Sequence, residues 1–140
     1  MTYFVDIDDY KRKNKIDLKI VGKVVHGKKI GRLIEFPTAN IKYNTNQTLP
    51  TPGVYAVKVV KNDSIYHGMM NIGMKPTFDD KSITLEVHIF DFDGDIYGED
   101  IEIVFLKRVR DQIKFSSLEE LKKQLQIDKY NVLLFLDTIK

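Results

Sequence analysis

Apolar and polar residues alternate in four stretches of the first 110 residues, and this pattern limits the fold more than any other feature. Side chains two residues apart lie on the same face of a strand, so each stretch predicts a strand with one buried face. Short strands at this spacing, separated by turns, favour an antiparallel sheet or a closed barrel. The predicted buried positions are Ile16, Leu18 and Ile20; Tyr55, Val57 and Val59; Leu85, Val87 and Ile89; and Ile101, Ile103 and Phe105.

Turn-forming residues lie between these stretches, at Asn62-Asp63-Ser64 and at Asp93-Gly94. Asp-Gly between two apolar runs is a strong hairpin signal, so we expect an acidic hairpin at Asp93-Gly94. Residues 91–102 also carry acids at positions 1, 3, 5 and 12 of a calcium-binding loop. Ile96 stands where that loop needs glycine for its sharp turn, and strands rather than helices flank it, so the hairpin is the better interpretation.

The last 25 residues change to a helical period. Ser117 and Glu120 have the spacing of a capping box, with Ser117 as the N-cap. Asp128 is expected to cap a second helix, so the sequence predicts an antiparallel β domain followed by C-terminal helices. Residues 1–15 are interpreted as a polar lead-in and residues 16–140 as a single domain. The apolar face of the first of these helices contains Leu118, Leu121 and Leu125.

Composition limits the classes of function. The 140 residues suit one ordinary domain with its own core. The absence of cysteine excludes disulfides, thiolate metal sites and a cysteine nucleophile, and it suits the reducing cytoplasm, where we expect this protein. No apolar run has the length of a signal-peptide core or of a membrane-spanning helix, so we expect neither export nor membrane insertion. A net charge of +2 gives no reason to expect nucleic-acid binding.

Charge is nevertheless segregated along the chain. Residues 11–32 contain nine Lys or Arg and one acid, whereas residues 79–102 contain nine acids and one Lys. Two solvent-facing charged surfaces would account for this segregation. It would equally be explained if the basic part of the chain binds phosphate and the acidic part handles protons or a metal. Residues 22–29 match the GxxxxGK part of a P-loop, but Lys29 follows where Ser or Thr must ligate magnesium. We therefore assign no P-loop.

Three polar residues are candidates for chemistry: Thr38, Asn40 and Glu86. Pro37 fixes its own backbone and favours an extended chain, so Thr38 and Asn40 fall on one side. Their oxygens suit a magnesium ion that also holds substrate phosphates, or they cap a turn begun by Pro37. Glu86 lies on the face opposite the predicted core and is either a solvent-facing glutamate or a general base on a rigid strand. His88 shares that face, where we interpret it, like the other two histidines, as a surface or packed residue.

The chain also resembles the riboflavin kinase domain, which occurs at the C-terminus of bifunctional bacterial FAD synthetases and alone in eukaryotes. The resemblance covers roughly residues 17–130 and rests on the order and spacing of short motifs. They are Gly22-Lys23-Val24-Val25-His26-Gly27, Gly31-Arg32, Phe36-Pro37-Thr38-Ala39-Asn40, Pro52-Gly53-Val54-Tyr55-Ala56, Asn71-Ile72-Gly73, Pro76-Thr77, Leu85-Glu86-Val87-His88-Ile89-Phe90, Asp95-Ile96-Tyr97-Gly98, Arg110 and Lys114-Phe115-Ser116.

The resemblance implies a six-stranded antiparallel Greek-key barrel with C-terminal α-helices. It implies transfer of the ATP γ-phosphoryl group to the 5′-hydroxyl of riboflavin, giving FMN and ADP, with magnesium accompanying ATP. Glu86 would be the catalytic base, with Thr38 and Asn40 as metal ligands. The implied ATP and phosphate contacts are Gly27, Lys28, Gly31, Arg32, Pro37, Thr38 and Asn40. The implied flavin contacts are Asn71, Arg110 and Phe115.

Two residues depart from the family pattern: Glu35 stands in place of a glycine and Gln112 in place of a glutamate. Glu35 adds a negative charge beside the implied phosphate site, so we expect weakened nucleotide binding. The alternative function is a catalytically weak or inactive sensor of the same fold that binds a flavin or a nucleotide. The bifunctional members also carry an adenylyltransferase domain, for which the 140 residues leave no room.

Overall fold

The computed structural model describes residues 3–25, 36–43, 46–76 and 81–140. Strands predominate over helices, as the alternating pattern predicts. The elements are, in chain order, β1 (Tyr3–Val5), α1 (Ile7–Asn14), β2 (Lys19–Val25), β3 (Ala39–Tyr43), β4 (Thr48–Pro50), β5 (Gly53–Lys61), β6 (Ser64–Pro76), β7 (Lys81–Ile89), β8 (Asp100–Arg110) and α2 (Leu118–Thr138).

Six strands form a closed barrel in the order β2-β3-β7-β6-β5-β8, with every neighbouring pair antiparallel. Strands β5, β6 and β7 lie side by side in chain order, and β8 returns to lie beside β5. This arrangement, with the fourth strand next to the first, is a Greek key. The barrel closes because β8 also pairs with β2. The six-stranded antiparallel barrel implied by the resemblance is therefore confirmed.

Side chains from alternate strand positions fill the barrel interior. The predicted core positions of β5, β7 and β8 are buried, with Ile89 only partly so. The first predicted strand is wrong at its start: Leu18 and Ile20 are buried, but Ile16 is 56% exposed. The register of β2 on β8 begins at Lys19, so no paired strand carries the alternation back to Ile16.

A second apolar cluster lies between the outer face of the barrel and α2. Its barrel residues point away from the interior because they alternate with core positions of the same strands. Val132 of α2 is fully buried among them, so apolar packing anchors the helix to the barrel wall. The buried members of this cluster are Phe36, Val54, Ala56, Met69, Phe90 and Val132.

The C-terminal region forms one helix of 21 residues, not the two that the sequence predicted. Ser117 is its N-cap, as predicted, because its Oγ accepts a hydrogen bond from the Glu120 N–H at 3.1 Å. The Glu120 carboxylate accepts hydrogen bonds from the N–H and hydroxyl of Ser116. Asp128, the predicted second cap, lies inside α2 and binds Arg110. From the sequence alone, an aspartate that caps a helix cannot be told from one inside a helix that binds a distant arginine. The arginine that settles the role of Asp128 lies 18 residues earlier in the chain.

The first 15 residues, interpreted as a polar lead-in, contain β1 and α1. Asp6 caps α1 by accepting hydrogen bonds from the N–H groups of Asp8 and Asp9. Ile7 packs into the interior cluster, and β1 pairs in parallel with β4. Helix α1 buries this single residue, which is too little to produce a periodic signal in the sequence.

The expected hairpin at Asp93-Gly94 is wrong. The flanking strands are not neighbours, because β7 pairs with β3 and β6, whereas β8 pairs with β2 and β5. Residues 91–99 instead connect distant strands, with Ile96 buried and the Phe92 ring packed edge-on against Tyr66 at 5.2 Å. An Asp-Gly pair indicates a local bend, while the whole barrel decides which strands meet. The turn at Asn62-Asp63 does join neighbours, β5 and β6.

Two glutamine side chains pair with main-chain groups where a barrel strand extends past its neighbour. Gln112 Oε1 accepts from the Met74 N–H at 3.1 Å, and its Nε2 donates to the Met74 carbonyl at 3.2 Å. Gln47 pairs in the same way with Val21, at 2.9 and 3.0 Å. The register of β5 on β6 stops two residues before Met74, and that of β3 on β2 stops one residue short of Val21. The amide, which both donates and accepts, replaces the missing strand partner.

Candidate functional site

Three polar side chains lie side by side on the outer face of the barrel: Asn40 on β3, Glu86 on β7 and Asn71 on β6. The register pairs Asn40 with Glu86, and Glu86 with Asn71. Each residue is half-buried and alternates with residues that pack in the interior, so its side chain points away from the core. Register partners on neighbouring strands have Cβ atoms about 4.5–5.5 Å apart. We call these three residues the polar row.

The same register line continues on both sides of the polar row. Val25, the last residue of β2, pairs with Asn40. On the other side, Val54 pairs with both Asn71 and Arg110. Residues 26–35, which follow Val25 in the chain, contain the predicted phosphate contacts. Outside the described residues lie the predicted phosphate contacts Gly27, Lys28, Gly31 and Arg32, together with Glu35.

Pro37 and Thr38 lead directly into β3 and the polar row. Pro37 is exposed and Thr38 is half-buried. The Pro37 carbonyl accepts a hydrogen bond from His88 Nδ1 at 2.7 Å, which links this segment to β7. His88 lies two residues from Glu86 on the same face of that strand. The structure thus places Asn40 and the predicted base on adjacent strands, with the other predicted metal ligand, Thr38, two residues before Asn40 in the chain.

The His88 ring lies close to two aromatic rings of the outer cluster. Its centroid is 5.3 Å from that of Phe36 and 5.7 Å from that of Phe90. Burial lowers the pKa of His88, the hydrogen bond to Pro37 opposes this, and the charge of Lys129 lowers the pKa further. The ring is therefore neutral near pH 7. Because a peptide carbonyl only accepts, the proton of the neutral ring lies on Nδ1.

We expect the free energy of unfolding to decrease at low pH because of His88. In the unfolded chain this residue has an ordinary pKa of about 6.5, but in the folded chain its pKa is lowered. The stability associated with the neutral ring is fully present above the unfolded pKa and is lost as the pH falls towards the folded pKa. Urea unfolding between about pH 7.5 and about pH 5 measures the slope. His88→Asn should flatten it; an unchanged slope would assign it to other groups.

Arg110, an implied flavin contact, is held by α2. Its Nε and Nη2 donate to the Asp128 carboxylate at 2.8–3.0 Å, and Gln124 Nε2 donates to the same carboxylate at 2.9 Å. The Asp128 side chain is 1% exposed and that of Arg110 is 16% exposed. The guanidinium lies 5.8 Å from the centroid of the Phe115 ring. This ion pair joins the end of β8 to α2. That Asn71, Arg110 and Phe115 contact a flavin stays a prediction.

The candidate metal ligands are neutral oxygens. Among the described residues, no three His, Asp or Glu side chains come together as a metal-binding group. Thr38 and Asn40 offer a hydroxyl and an amide oxygen, which are ligands that suit a magnesium ion retaining waters and substrate phosphates.

In the part of the chain that the structure describes, no helix combines the length and apolar character needed to cross a membrane.

Two residues, His88 and Asp128, shape this site through partners that the sequence does not reveal. His88 had an available signal, because strand parity places it on the face of Glu86. What parity does not reveal is its partner, the Pro37 carbonyl, which lies 51 residues away in the chain. Asp128 had no local signal, because its partner Arg110 belongs to another element, 18 residues earlier.

Comparison with known proteins finds similarity to one family over most of the chain. The Flavokinase family model, described as riboflavin kinase, matches residues 14–136. The bifunctional riboflavin kinase/FMN adenylyltransferase of Bacillus subtilis (strain 168) is 42% identical over 124 residues. The match covers 86% of this chain but 39% of that protein, so the chain spans about two fifths of this relative's length.

Solved structures show the same architecture. A structure from Streptococcus pneumoniae, described as a macrolide-efflux protein, has a TM-score of 0.82 and 38% identity, and the match covers 89% of this chain and 41% of that one. The riboflavin kinase from Trypanosoma brucei has a TM-score of 0.59 and 25% identity, and the match covers 85% of this chain and 79% of that one.

Proposed function

Because the chain belongs to the riboflavin kinase family, we propose that it transfers the γ-phosphoryl group of ATP to the 5′-hydroxyl of riboflavin, giving FMN and ADP. The observation that carries this proposal is the polar row, in which Asn40, Glu86 and Asn71 are consecutive register partners on one face of the barrel. Phosphoryl transfer depends mainly on positioning and on neutralising charge. Strands paired on both sides hold such groups more rigidly than loops do.

Glu86 is proposed as the general base. It lies on β7 between β3 and β6, so both neighbouring strands fix its backbone. A carboxylate at this place accepts the proton of the attacking hydroxyl as the oxygen bonds to phosphorus. Asn71, the register partner of Glu86 on β6, is proposed to contact the flavin substrate on the side towards Arg110 and Phe115.

Thr38 and Asn40 are proposed to hold magnesium together with the phosphates of ATP. When bound, the metal neutralises charge on the transferring phosphoryl group. Pro37 restricts the backbone in front of Thr38, and the register with β7 fixes Asn40. Gly27, Lys28, Gly31 and Arg32 are proposed to bind phosphate oxygens from the segment that follows Val25, since cations and backbone N–H groups attract phosphates.

The activity is tested by incubating the protein with riboflavin, ATP and magnesium and separating the flavins by chromatography. FMN and ADP should form in equal amounts. Flavin or nucleotide binding without FMN, across several metals and nucleotides, would instead support the sensor function. An adenylyltransferase domain outside this chain and a cytoplasmic location stay predictions, which the length of the native protein and cell fractionation would check.

Thr38→Ala is expected to raise the KM for ATP while leaving the KM for riboflavin nearly unchanged. The substitution removes one oxygen ligand but keeps a backbone that is compatible with an extended chain. Additional magnesium should partly restore the rate, because mass action compensates for a weaker metal site. Steady-state kinetics at several magnesium concentrations measure this, with Thr138→Ala at the end of α2 as the control. A loss of stability without any magnesium dependence would mean that Thr38 has only a structural role.

A further inference from the structure

The backbone just before β3 is held to β7 at two different points. The register of β3 on β7 comprises the pairs Ala39–Val87 and Asn40–Glu86. Before Ala39, the link to β7 is a side-chain hydrogen bond, from His88 Nδ1 to the Pro37 carbonyl at 2.7 Å. Thr38 therefore lies between a residue held by His88 and a residue held by the strand register.

The geometry of the imidazole is itself fixed by packing. Phe36 and Phe90, whose rings flank it at 5.3 and 5.7 Å, are 7% and 6% exposed. Both belong to the cluster under α2, and Lys129 of that helix lies 5.4 Å from the Phe90 ring centroid. The ring of His88 cannot turn away from Pro37 without disturbing these contacts. Its donor is therefore aimed at the carbonyl before any ligand binds.

Proline makes this carbonyl the available attachment point. Pro37 has no N–H, so its carbonyl is the one hydrogen-bonding group that its main chain can offer to β7. A shift of this segment would move the Thr38 hydroxyl relative to Asn40 and Glu86. Displacements of about 1 Å at such positions cost large factors in rate.

We infer that His88 is a positioning residue, which fixes the Pro37 carbonyl and thereby places Thr38 beside Asn40 and Glu86 to receive the metal-bound nucleotide. This inference rests on the proposed function in assigning the nucleotide to this site. His88 itself carries out no chemical step. The consequence is that loss of its donor weakens nucleotide binding, while the binding of riboflavin changes little.

The test compares three substitutions of His88 that differ in the position of the side-chain hydrogen-bond donor, or lack one. His88→Asn places its Nδ2 close to the position of Nδ1, His88→Gln carries its donor further from the backbone, and His88→Leu has none. Mg–ADP affinity is measured by calorimetry on the whole chain, with KM and kcat for FMN formation alongside. His88→Leu and His88→Gln should weaken Mg–ADP binding by about 3–10-fold, as expected for one hydrogen bond. His88→Asn should restore most of it, and His67→Leu, on β6, should match wild type.

Three outcomes are informative. Recovery in His88→Asn but not in His88→Gln supports positioning, because both are polar amides and differ in reach. Equal Mg–ADP affinity in wild type and His88→Leu, with FMN still formed, would overturn the positioning role and leave the kinase function standing. The predicted order of affinities without any FMN from wild type would overturn the kinase function and leave the positioning role standing.

Discussion

Replacing Glu86 by glutamine is expected to lower kcat for FMN formation by ~10²–10⁴-fold, the usual effect of removing a general base. Glutamine keeps the size of the side chain and the strand register but cannot accept the proton of the attacking hydroxyl. The KM for riboflavin should change little, because the substitution removes an interaction made in the transition state. Chromatographic FMN assays at saturating substrates measure kcat, and thermal unfolding checks that the barrel is intact.

Glu102→Gln is the matched control, since Glu102 is also a half-buried glutamate on a barrel strand but lies on β8, in a long ion pair with Lys19 at 4.0 Å. Its kcat should stay within about twofold of wild type, because exposed ion pairs contribute little. A Glu86→Gln enzyme within threefold of wild type would remove Glu86 from the mechanism and leave it as a residue that faces solvent beside the site.

Replacing Asp128 by alanine is expected to reduce the free energy of unfolding by about 3–5 kcal/mol, because it leaves a cation unpaired in a largely buried position. Arg110 would keep its hydrogen bond to the Asp111 carbonyl, but it would lose both carboxylate oxygens. For a domain of this size such a loss lowers Tm on the order of 10 °C. Urea unfolding and thermal circular dichroism measure both quantities.

Two further variants distinguish the effect of losing the Arg110–Asp128 ion pair from a general destabilisation of α2. Asp137→Ala removes an exposed ion pair with Lys140 in the same region and should change the stability little. Arg110→Met combined with Asp128→Leu should recover much of the stability, because an apolar pair of similar volume avoids desolvating two charges. A stability for Asp128→Ala within about 1 kcal/mol of wild type would contradict the view that this ion pair joins α2 to the barrel.

Four of the six barrel strands, β2, β5, β7 and β8, were predictable because each has a buried face that alternation reveals within the strand itself, whereas β3 and β6 were not predicted. Tyr55, Val57 and Val59 show this most clearly, since they are at most 1% exposed. The alternating pattern gave wrong predictions where the pairing of strands, which the local sequence does not contain, decides where a strand begins or which strands are neighbours. Ile16 continues the alternation in sequence but precedes the register with β8, and Asp93-Gly94 has hairpin composition but joins strands that are not neighbours.

The candidate site was predictable one residue at a time but not as an arrangement. Parity places Glu86 on the outer face of its strand, yet it cannot state that Asn71 on β6 is its register partner. That information comes from the order of the strands in the barrel, which the fold supplies. The resemblance implied a six-stranded Greek-key barrel but no strand order. Asp128 is the opposite case: its local sequence resembles a cap, and only the packing of α2 against β8 gives it Arg110 as a partner.

The two glutamine side chains that pair with strand main chains have a consequence for how this protein behaves at high concentration. Unpaired N–H and C=O groups on a strand invite another chain to add a strand of its own, which is a route to aggregation. Gln112 and Gln47 engage these groups at Met74 and Val21, where neighbouring strands fall short. Among the described barrel residues, these two side chains cover main-chain groups at places where strand pairing stops. Hydrolysis of either amide to a carboxylate as the protein ages would remove its N–H donor. The main-chain carbonyl that this donor binds would then lose the hydrogen bond.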